Sequence, residues 1–370
     1  MKAIAVTGAN GFVGKNLVAD LNLNDDYKVL PITKATPLQE RDQYLKQADF
    51  IVHLAGVNRT EDDTEYTQGN VYLLQELLGV IQENPKHPTI LLSSSIHAAN
   101  DTPYGRSKLE AEEVLEKFAE DNENEILIYR FPNLFGKWCN PDYNSVVATF
   151  CYHISRNAEV SVHDSNVQLT LNYIDDVVAE IERAIKGNPT LLDNKPTVPN
   201  VLRITVGNLV KKIKAFKQSR ENLTVPHLAD PLEKALYSTY LSYLPEDDFS
   251  YMLPMHTDDR GSFTEFIKTV DHGQVSINVS KPGVTKGNHW HHTKVEKFLV
   301  VSGKGVIRFR NIRSNEIIEY FVTGTQLEVV DVPVGYTHNI ENLGDSDLIT
   351  VMWANEPFNP ANPDTYALEV

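Results

Sequence analysis

Apolar positions in the first half of the chain fall into short unbroken runs separated by helical stripes. Residues 2–6 form a run that stops at a glycine-rich loop, and Leu17, Val18 and Leu21 then share one helical face. Further runs cover 28–32, 49–55 and 90–92, the last ending in Ser93, Ser94 and Ser95. Runs of this kind read as strands covered on both faces, as in parallel sheets flanked by helices. A stripe through Leu109, Ala111, Val114, Leu115 and Phe118 predicts a helix that includes residues 104–118. The texture changes after Leu244, Pro245, Glu246, Asp247 and Asp248. Beyond them β-rich runs recur at 274–279, 297–301, 305–309, 317–322, 327–332 and 348–353, parted by Gly, Pro and Asn turns. That spacing predicts an antiparallel barrel or jelly roll. The expected architecture is a doubly wound parallel α/β sheet over residues 1–245, followed by a β-barrel over 246–370.

Composition narrows the partners. The 370 residues are too many for a typical single domain, and 41% hydrophobic content is ample for two cores. A net charge of −16, from 34 basic and 50 acidic residues, argues against nucleic acid. Two cysteines, Cys139 and Cys151, make neither a disulfide framework nor a thiolate zinc site. There is no secretory signature at the start and no apolar run near the ~18 residues of a membrane span. A cytoplasmic enzyme without membrane insertion is expected.

The loop from Gly8 through Asn10, Gly11, Phe12 and Val13 to Gly14 lies between a strand and a helix. In a Rossmann-like fold, Gly8 permits the tight turn, Gly11 lets the backbone approach a pyrophosphate, and Gly14 lets helix and strand pack closely. The helix N-terminus then faces the phosphate charge. The strand that ends at Leu54, Ala55 and Gly56 is expected to border the same cofactor. An acidic residue after the second strand would favour NAD. Thr33 and Lys34 stand there instead. Lys34 suits a 2′-phosphate, so NADPH is expected.

Tyr104 and Lys108 are four apart on one helical face. A phenol with a reference pKa of about 10 is a poor acid at neutral pH, and a nearby ammonium lowers that value. A serine hydroxyl can hold the substrate oxygen while Tyr104 exchanges a proton. Ser94 and Ser95 both qualify; Ser95, the last of its triplet, is preferred. Tyr104 and Lys108 are expected to touch the cofactor as well.

These motifs resemble the extended short-chain dehydrogenase/reductases that act on nucleotide sugars, over roughly residues 1–245. The segment from Arg130 through Asn133 to Gly136 is similar to that family's Arg-x-x-Asn-x-x-Gly segment, which implies that Asn133 contacts the sugar nucleotide. Residues 171–177, with Tyr173 and Asp176, resemble its Tyr-Ile-x-Asp-Val segment. The stretch from Ser95 to Tyr104 is shorter than usual for the family.

The last third carries a second constellation. His289 and His291 are two apart on an extended segment, so both face one side. Glu296 follows after a turn, and His338 comes from the distant turn that starts at Pro333. Three imidazoles and a carboxylate suit zinc or another divalent ion. With Gly283, Gly303, Pro333, Gly335 and Asn342, these residues resemble both cupin motifs, although Leu327 stands where a glycine is common. Residues 258–266, with Arg260, also resemble the start of 4-keto-deoxysugar epimerases, which commonly lack metal and carry a lysine where this chain has Glu296. Arg260 and Lys286 are expected to contact substrate.

The order of the two parts resembles the bifunctional capsular polysaccharide synthesis enzymes, an extended dehydrogenase/reductase fused to a metal-binding cupin. The likeness implies C3 epimerisation of a UDP-2-acetamido-2,6-dideoxy-4-keto-hexose in the cupin, then NADPH-dependent reduction at C4. The product would be UDP-N-acetyl-6-deoxy-L-talosamine, on the way to UDP-N-acetyl-L-fucosamine, and a homodimer is expected. A proton α to a ketone can be removed if the enolate is stabilised. His292, Tyr336 and Lys286 are candidates for the base. Two rivals remain open: a reductase whose cupin only binds sugar or holds a dimer, and an NAD(P)-sensing protein without activity.

Overall fold

The computed structural model describes residues 1–269 and 271–370. The chain divides into two compact units, Met1–Lys214 with Asp230–Pro245, and Ala215–Ala229 with Glu246–Val370. Ala215–Ala229 therefore groups with the second unit although it precedes the boundary expected at residue 245.

In the first unit β1 (Lys2–Thr7), α1 (Phe12–Leu21), β2 (Tyr27–Ile32), α2 (Leu38–Gln47) and β3 (Phe50–His53) open the fold. Then come α3 (Thr64–Thr67), α4 (Leu73–Ile81), β4 (Thr89–Ser95), α5 (Pro103–Asn122) and β5 (Ile126–Phe131). The five strands are all parallel, in the order β2-β1-β3-β4-β5. That order reverses direction beside β1, and open sheets of this kind bind ligands outside the strand ends at such a switch. Helices cover both faces. One core layer joins Ile4, Val6, Leu17 and Leu21 to Val177 and Ile181; the other joins Ala5, Ile51 and Ile90 to Leu74, Leu78 and Leu115. This is why the strands read as unbroken apolar runs. A smaller sheet, β10-β7-β6, is built from β6 (Asn133–Phe135), β7 (Gln168–Tyr173) and β10 (Leu202–Thr205). The intervening α6 (Val146–Ser155), α7 (Ile174–Ile185), β8 (Leu191–Leu192) and β9 (Lys195–Pro196), with α8 (Val206–Asn222) and α9 (Pro231–Leu241), complete the helical part.

The second unit is antiparallel and cupin-like. One sheet holds β11 (Met255–Asp258), β12 (Gly261–Thr269), β13 (Gly273–Ser280), β15 (Glu296–Ser302), β18 (Val329–Val332) and β20 (Leu348–Ala354), ordered β11-β12-β13-β20-β15-β18. The other holds β14 (Thr285–Trp290), β16 (Lys304–Asn311), β17 (Ile317–Thr323), β19 (Tyr336–Asn342) and β21 (Tyr366–Ala367), ordered β17-β16-β19-β14-β21. Phe298, Val300 and Leu348 of the first sheet meet Ile307, Phe309 and Ile340 of the second in one core. The opposite part of the interior is polar. On β13 the buried side chains are those of Gln274, Ser276, Asn278 and Ser280, while Val275, Ile277 and Val279 are only partly covered.

No helix among the described residues is long and apolar enough to cross a membrane.

Candidate functional site

The glycine loop follows β1 at the switch in strand order. Gly8 adopts φ +67°, and a Cβ there would lie 2.8 Å from the Ala55 nitrogen. A Cβ on Gly14 would stand 2.2 Å from the Gly8 carbonyl oxygen. Both glycines are thus required by close approach, Gly14 where α1 meets the loop and Gly8 where the loop meets the end of β3. Among the described residues no side chain caps α1, and its first turn holds no acid. The helix end, the missing cap and the glycine cradle fit a dinucleotide phosphate. Asn10 and Gly11 are exposed at this mouth, and Phe12 and Val13 are half-buried.

Leu54 and Ala55 are held beside the loop because their N–H groups both donate to Thr7 Oγ1 at 3.2 Å. Thr7 also pairs with His53 Nδ1 at 2.8 Å. Burial lowers the His53 pKa to about 3, so this imidazole is neutral. Lys34 is exposed in the turn after β2, and Ala9 N donates to Ile32 O at 3.1 Å, which sets that turn beside the glycine loop.

Tyr104 sits in the first turn of α5. Thr102 caps that helix by accepting from Gly105 N at 3.0 Å, and Pro103 opens it. Burial raises the Tyr104 pKa, a hydrogen bond with the Ser95 side chain opposes the rise, and Tyr66 adds to it. The phenol also donates to Asn58 Oδ1 at 3.4 Å. Its ring packs on Tyr66 and His97, with centroids at 5.7 and 6.4 Å.

The lysine behaves differently from the simple expectation of an ammonium lowering the phenol. Lys108 is 7% exposed, and its Nζ donates to Ser93 O at 3.0 Å. Burial lowers its own pKa to about 8, against a smaller upward pull from Glu112. The phenol is raised rather than lowered because desolvation outweighs the Ser95 hydrogen bond, and Tyr66 adds to the rise.

The two serines separate clearly. Ser94 Oγ is buried and donates to the Glu112 carboxylate, which also receives the Arg130 guanidinium at 2.9 and 3.1 Å. Ser95 is the serine that meets Tyr104, and its Oγ also accepts from His97 N at 3.2 Å. Asn133 is exposed on β6. Asn58, Tyr66 and His97 carried no signal in the sequence, since they lie in loops and a short helix that only the fold brings to Tyr104.

In the second unit His289 is on β14, His338 pairs with it across β19, and Glu296 opens β15. A bulge between Gly287 and His289, with Asn288 at φ +60°, rotates the strand end so that the His289 and His291 rings meet at 5.0 Å. One ligand atom from each of His289, His291, Glu296 and His338 lies within 4.8 Å of the others. Glu296 Oε2 is 3.5 Å from His291 Nε2 and 3.3 Å from His338 Nε2. These three atoms are buried and make no hydrogen bond to any described residue. Buried polar atoms are normally satisfied. Their convergence from an N₃O donor set fits a divalent metal. Burial first, then the neighbouring His338, lowers the His289 pKa to about 4, so its lone pair is free at neutral pH. Burial would raise Glu296, but the facing His291 and His338 outweigh it and hold the carboxyl below its ordinary range.

Lys286 reaches into the interior, donating to Asn278 Oδ1 at 3.0 Å, Val279 O at 2.8 Å and Ser262 O at 3.4 Å. Arg260 is exposed and paired with Asp258 at 2.6 Å. His292 is exposed and packs on Trp290 and Tyr366. Tyr336, two residues before His338, borders the apolar core. The polar face of β13 also belongs to this interior and was not singled out from the sequence. Its signal, polar residues at every second position from Gln274 to Ser280, is visible there.

Residues 4–190 match the NAD dependent epimerase/dehydratase family, and residues 256–366 match the polysaccharide biosynthesis C-terminal domain. The chain is 44% identical to the UDP-2-acetamido-2,6-beta-L-arabino-hexul-4-ose reductase of Pseudomonas aeruginosa, over 99% of this chain and 98% of that one. The crystal structure of the capsular polysaccharide assembling protein CapF from Staphylococcus aureus superposes with a TM-score of 0.95. It is 62% identical and covers 99% of this chain and 100% of its own. The chain belongs to the NAD dependent epimerase/dehydratase family and, within it, to the CapF proteins. A second crystal form of CapF from the same species agrees, with a TM-score of 0.89, 57% identity and 99% of each chain covered. Membership implies a nicotinamide cofactor, for which the loop from Gly8 to Gly14 has the fitting shape.

Proposed function

We infer that this chain is a bifunctional nucleotide-sugar enzyme of capsular polysaccharide biosynthesis. The second unit epimerises C3 of a UDP-2-acetamido-2,6-dideoxy-4-keto-hexose, and the first reduces the C4 ketone with NADPH. The product is UDP-N-acetyl-6-deoxy-L-talosamine. The observation that carries this inference is the pairing, on one chain, of a Ser95–Tyr104 site beside a dinucleotide loop with a buried His₃Glu cluster. The name of the Pseudomonas aeruginosa relative supports a UDP-linked 4-keto sugar as the reduced species.

In the first unit a nicotinamide cofactor held at the loop from Gly8 to Gly14 would supply a hydride. Ser95 holds the ketone oxygen, and Tyr104 delivers a proton to that oxygen as the alcohol forms. A phenol whose pKa is raised is fully protonated at neutral pH, as an acid in a reduction must be. Lys108 supplies positive charge beneath the site, and Asn133 contacts the sugar nucleotide. Lys34 receives the 2′-phosphate, in keeping with the absence of an acid at that turn.

In the second unit zinc, or another divalent ion, held by His289, His291, Glu296 and His338 would polarise the C4 ketone. Tyr336 shares the face of His338 on β19 and Lys286 points inward, so these two are better placed than exposed His292 to move the C3 proton. Arg260 lies at the edge of the same unit for the anionic end of the substrate. The ketone survives epimerisation and is consumed only by reduction, so the second step locks the stereochemistry of the first. The chain acts as a homodimer in the cytoplasm; exposed apolar side chains on the edge strands β17 and β18 support self-association.

The test is incubation with NADPH and candidate UDP-4-keto sugars, with NMR of the product. A reduced sugar whose C3 configuration is unchanged would remove the epimerase assignment. The alternative is that the second unit merely binds sugar or dimerises, the named activity of the Pseudomonas aeruginosa relative being a reductase. Hydrogen–deuterium exchange at C3 without NADPH separates the two.

A further inference from the structure

His291 stands one residue beyond the end of β14, where no sheet ladder restrains it. Its main-chain carbonyl accepts from Gly335 N at 3.1 Å, and its ring is held from the far end of the chain. Its Nδ1 lies 2.6 Å from the main-chain carbonyl oxygen of Asp364. A carbonyl only accepts, so Nδ1 carries the proton and Nε2 is left bare toward Glu296. The Asp364 carboxylate then accepts from three successive main-chain N–H groups, His292 at 3.0 Å, Thr293 at 2.8 Å and Lys294 at 2.9 Å, and from Thr293 Oγ1 at 3.0 Å. Lys294, only 5% exposed, donates back to Pro363 O at 2.8 Å. Next to this knot Tyr366 and Ala367 pair with Trp290 and His289. One residue thus fixes both the ring of a ligand and the turn that follows it.

We propose that Asp364 is a positioning residue for the metal centre, setting the tautomer of His291 through its carbonyl and the 292–294 turn through its carboxylate. The proposal rests on the assignment of His289, His291, Glu296 and His338 as metal ligands. A partner of this kind typically contributes 10–100-fold in metal affinity. Asp364 has φ +41°, a region that Asn tolerates as Asp does. Asp364→Asn therefore changes the charge and one acceptor without changing the backbone preference, whereas Asp364→Ala removes every side-chain acceptor.

The experiment uses the full chain stripped of metal and titrated with zinc against a chromophoric chelator. Visible spectra after cobalt loading and melting curves with and without zinc accompany it. Wild type should bind one zinc. Asp364→Ala should bind roughly 10–100-fold more weakly and Asp364→Asn less severely so, with a changed cobalt spectrum and a smaller zinc-induced rise in melting temperature. NADPH oxidation with a ketone that needs no epimerisation should be unaltered in both. If Asp364→Ala does not fold, Asp364→Asn still decides the matter by affinity and spectrum. Absence of zinc binding in wild type overturns the metal assignment and this proposal with it. Wild-type affinity and spectrum in the variants, with melting lowered equally in the presence and absence of zinc, overturns the role of Asp364 alone.

Discussion

Tyr104 has Ser95 on its hydroxyl, Lys108 one turn further along α5 and aromatic rings on its flank. Tyr104→Phe keeps the ring packing and removes only the proton. NADPH binding should persist, and ketone reduction should fall by roughly 10²–10⁴-fold, the span for a lost acid–base group. Wild-type NADPH oxidation by the Phe variant would be incompatible with the role given to Tyr104. Lys108 yields a pH prediction. Its pKa is pulled down to about 8, chiefly by burial. The cation is present below that value and lost above it, so the basic limb of the reduction profile should break near pH 8. Lys108→Arg, which stays charged, should shift the break upward if charge is what matters. Lys34 bears on cofactor choice: NADPH should be preferred over NADH, and Lys34→Ala should narrow the gap. Equal kcat/KM for both cofactors in wild type would refute that.

At the scale of elements, α1 and its loop set how closely a dinucleotide can approach. Gly14→Ala would place a Cβ 2.2 Å from the Gly8 carbonyl oxygen, a backbone atom that cannot swing aside. The helix must move away from β1, at a cost of about 1–3 kcal/mol for overpacking. Cofactor affinity should drop with a lower melting temperature, read by fluorescence titration and a thermal melt; affinity within twofold of wild type would show that the approach is not needed. The polar strands are equally instructive. β14 and β19 carry two of the four metal-ligand candidates, and His291 directly follows β14, yet neither strand is among the apolar runs that announce strands, because their inward positions include imidazoles, amides and a lysine. On β13 the alternation is plain, but it runs against the usual sense. Period two shows that the faces differ and not which one is inside.

At the scale of the whole molecule, the two sites sit in units with separate cores. Stripping the metal should abolish C3 exchange while leaving NADPH oxidation with a ketone that needs no epimerisation. Parallel loss of both activities on chelation would mean that the metal supports the whole fold. Self-association is testable by light scattering. Ile317, Tyr320, Phe321, Leu327 and Val329 are exposed on or beside the edge strands β17 and β18. Burying such side chains is worth ~25 cal/mol per Å² of apolar surface. Phe321→Asp should therefore convert a dimer to a monomer; an unchanged mass would place the contact elsewhere.

The strand–glycine loop–helix unit, the parallel sheet and the antiparallel second unit were legible in the sequence because each follows from local periodicity and turn residues. So were the residue types of both constellations, since Tyr104 and Lys108 share a helix and His289 and His291 share a strand end. The partners that complete each site come from distant segments and follow no local pattern. Asn58 and Tyr66 come to Tyr104 from outside α5, and Glu112 takes Ser94 while Ser95 meets the phenol. Whether the Tyr104 pKa rises or falls depends on how much water the fold removes, and composition does not record that. The same holds for Asp364, which meets His291 across 73 residues through a backbone carbonyl. Every residue type offers that carbonyl, so only the tertiary structure decided which one it would be.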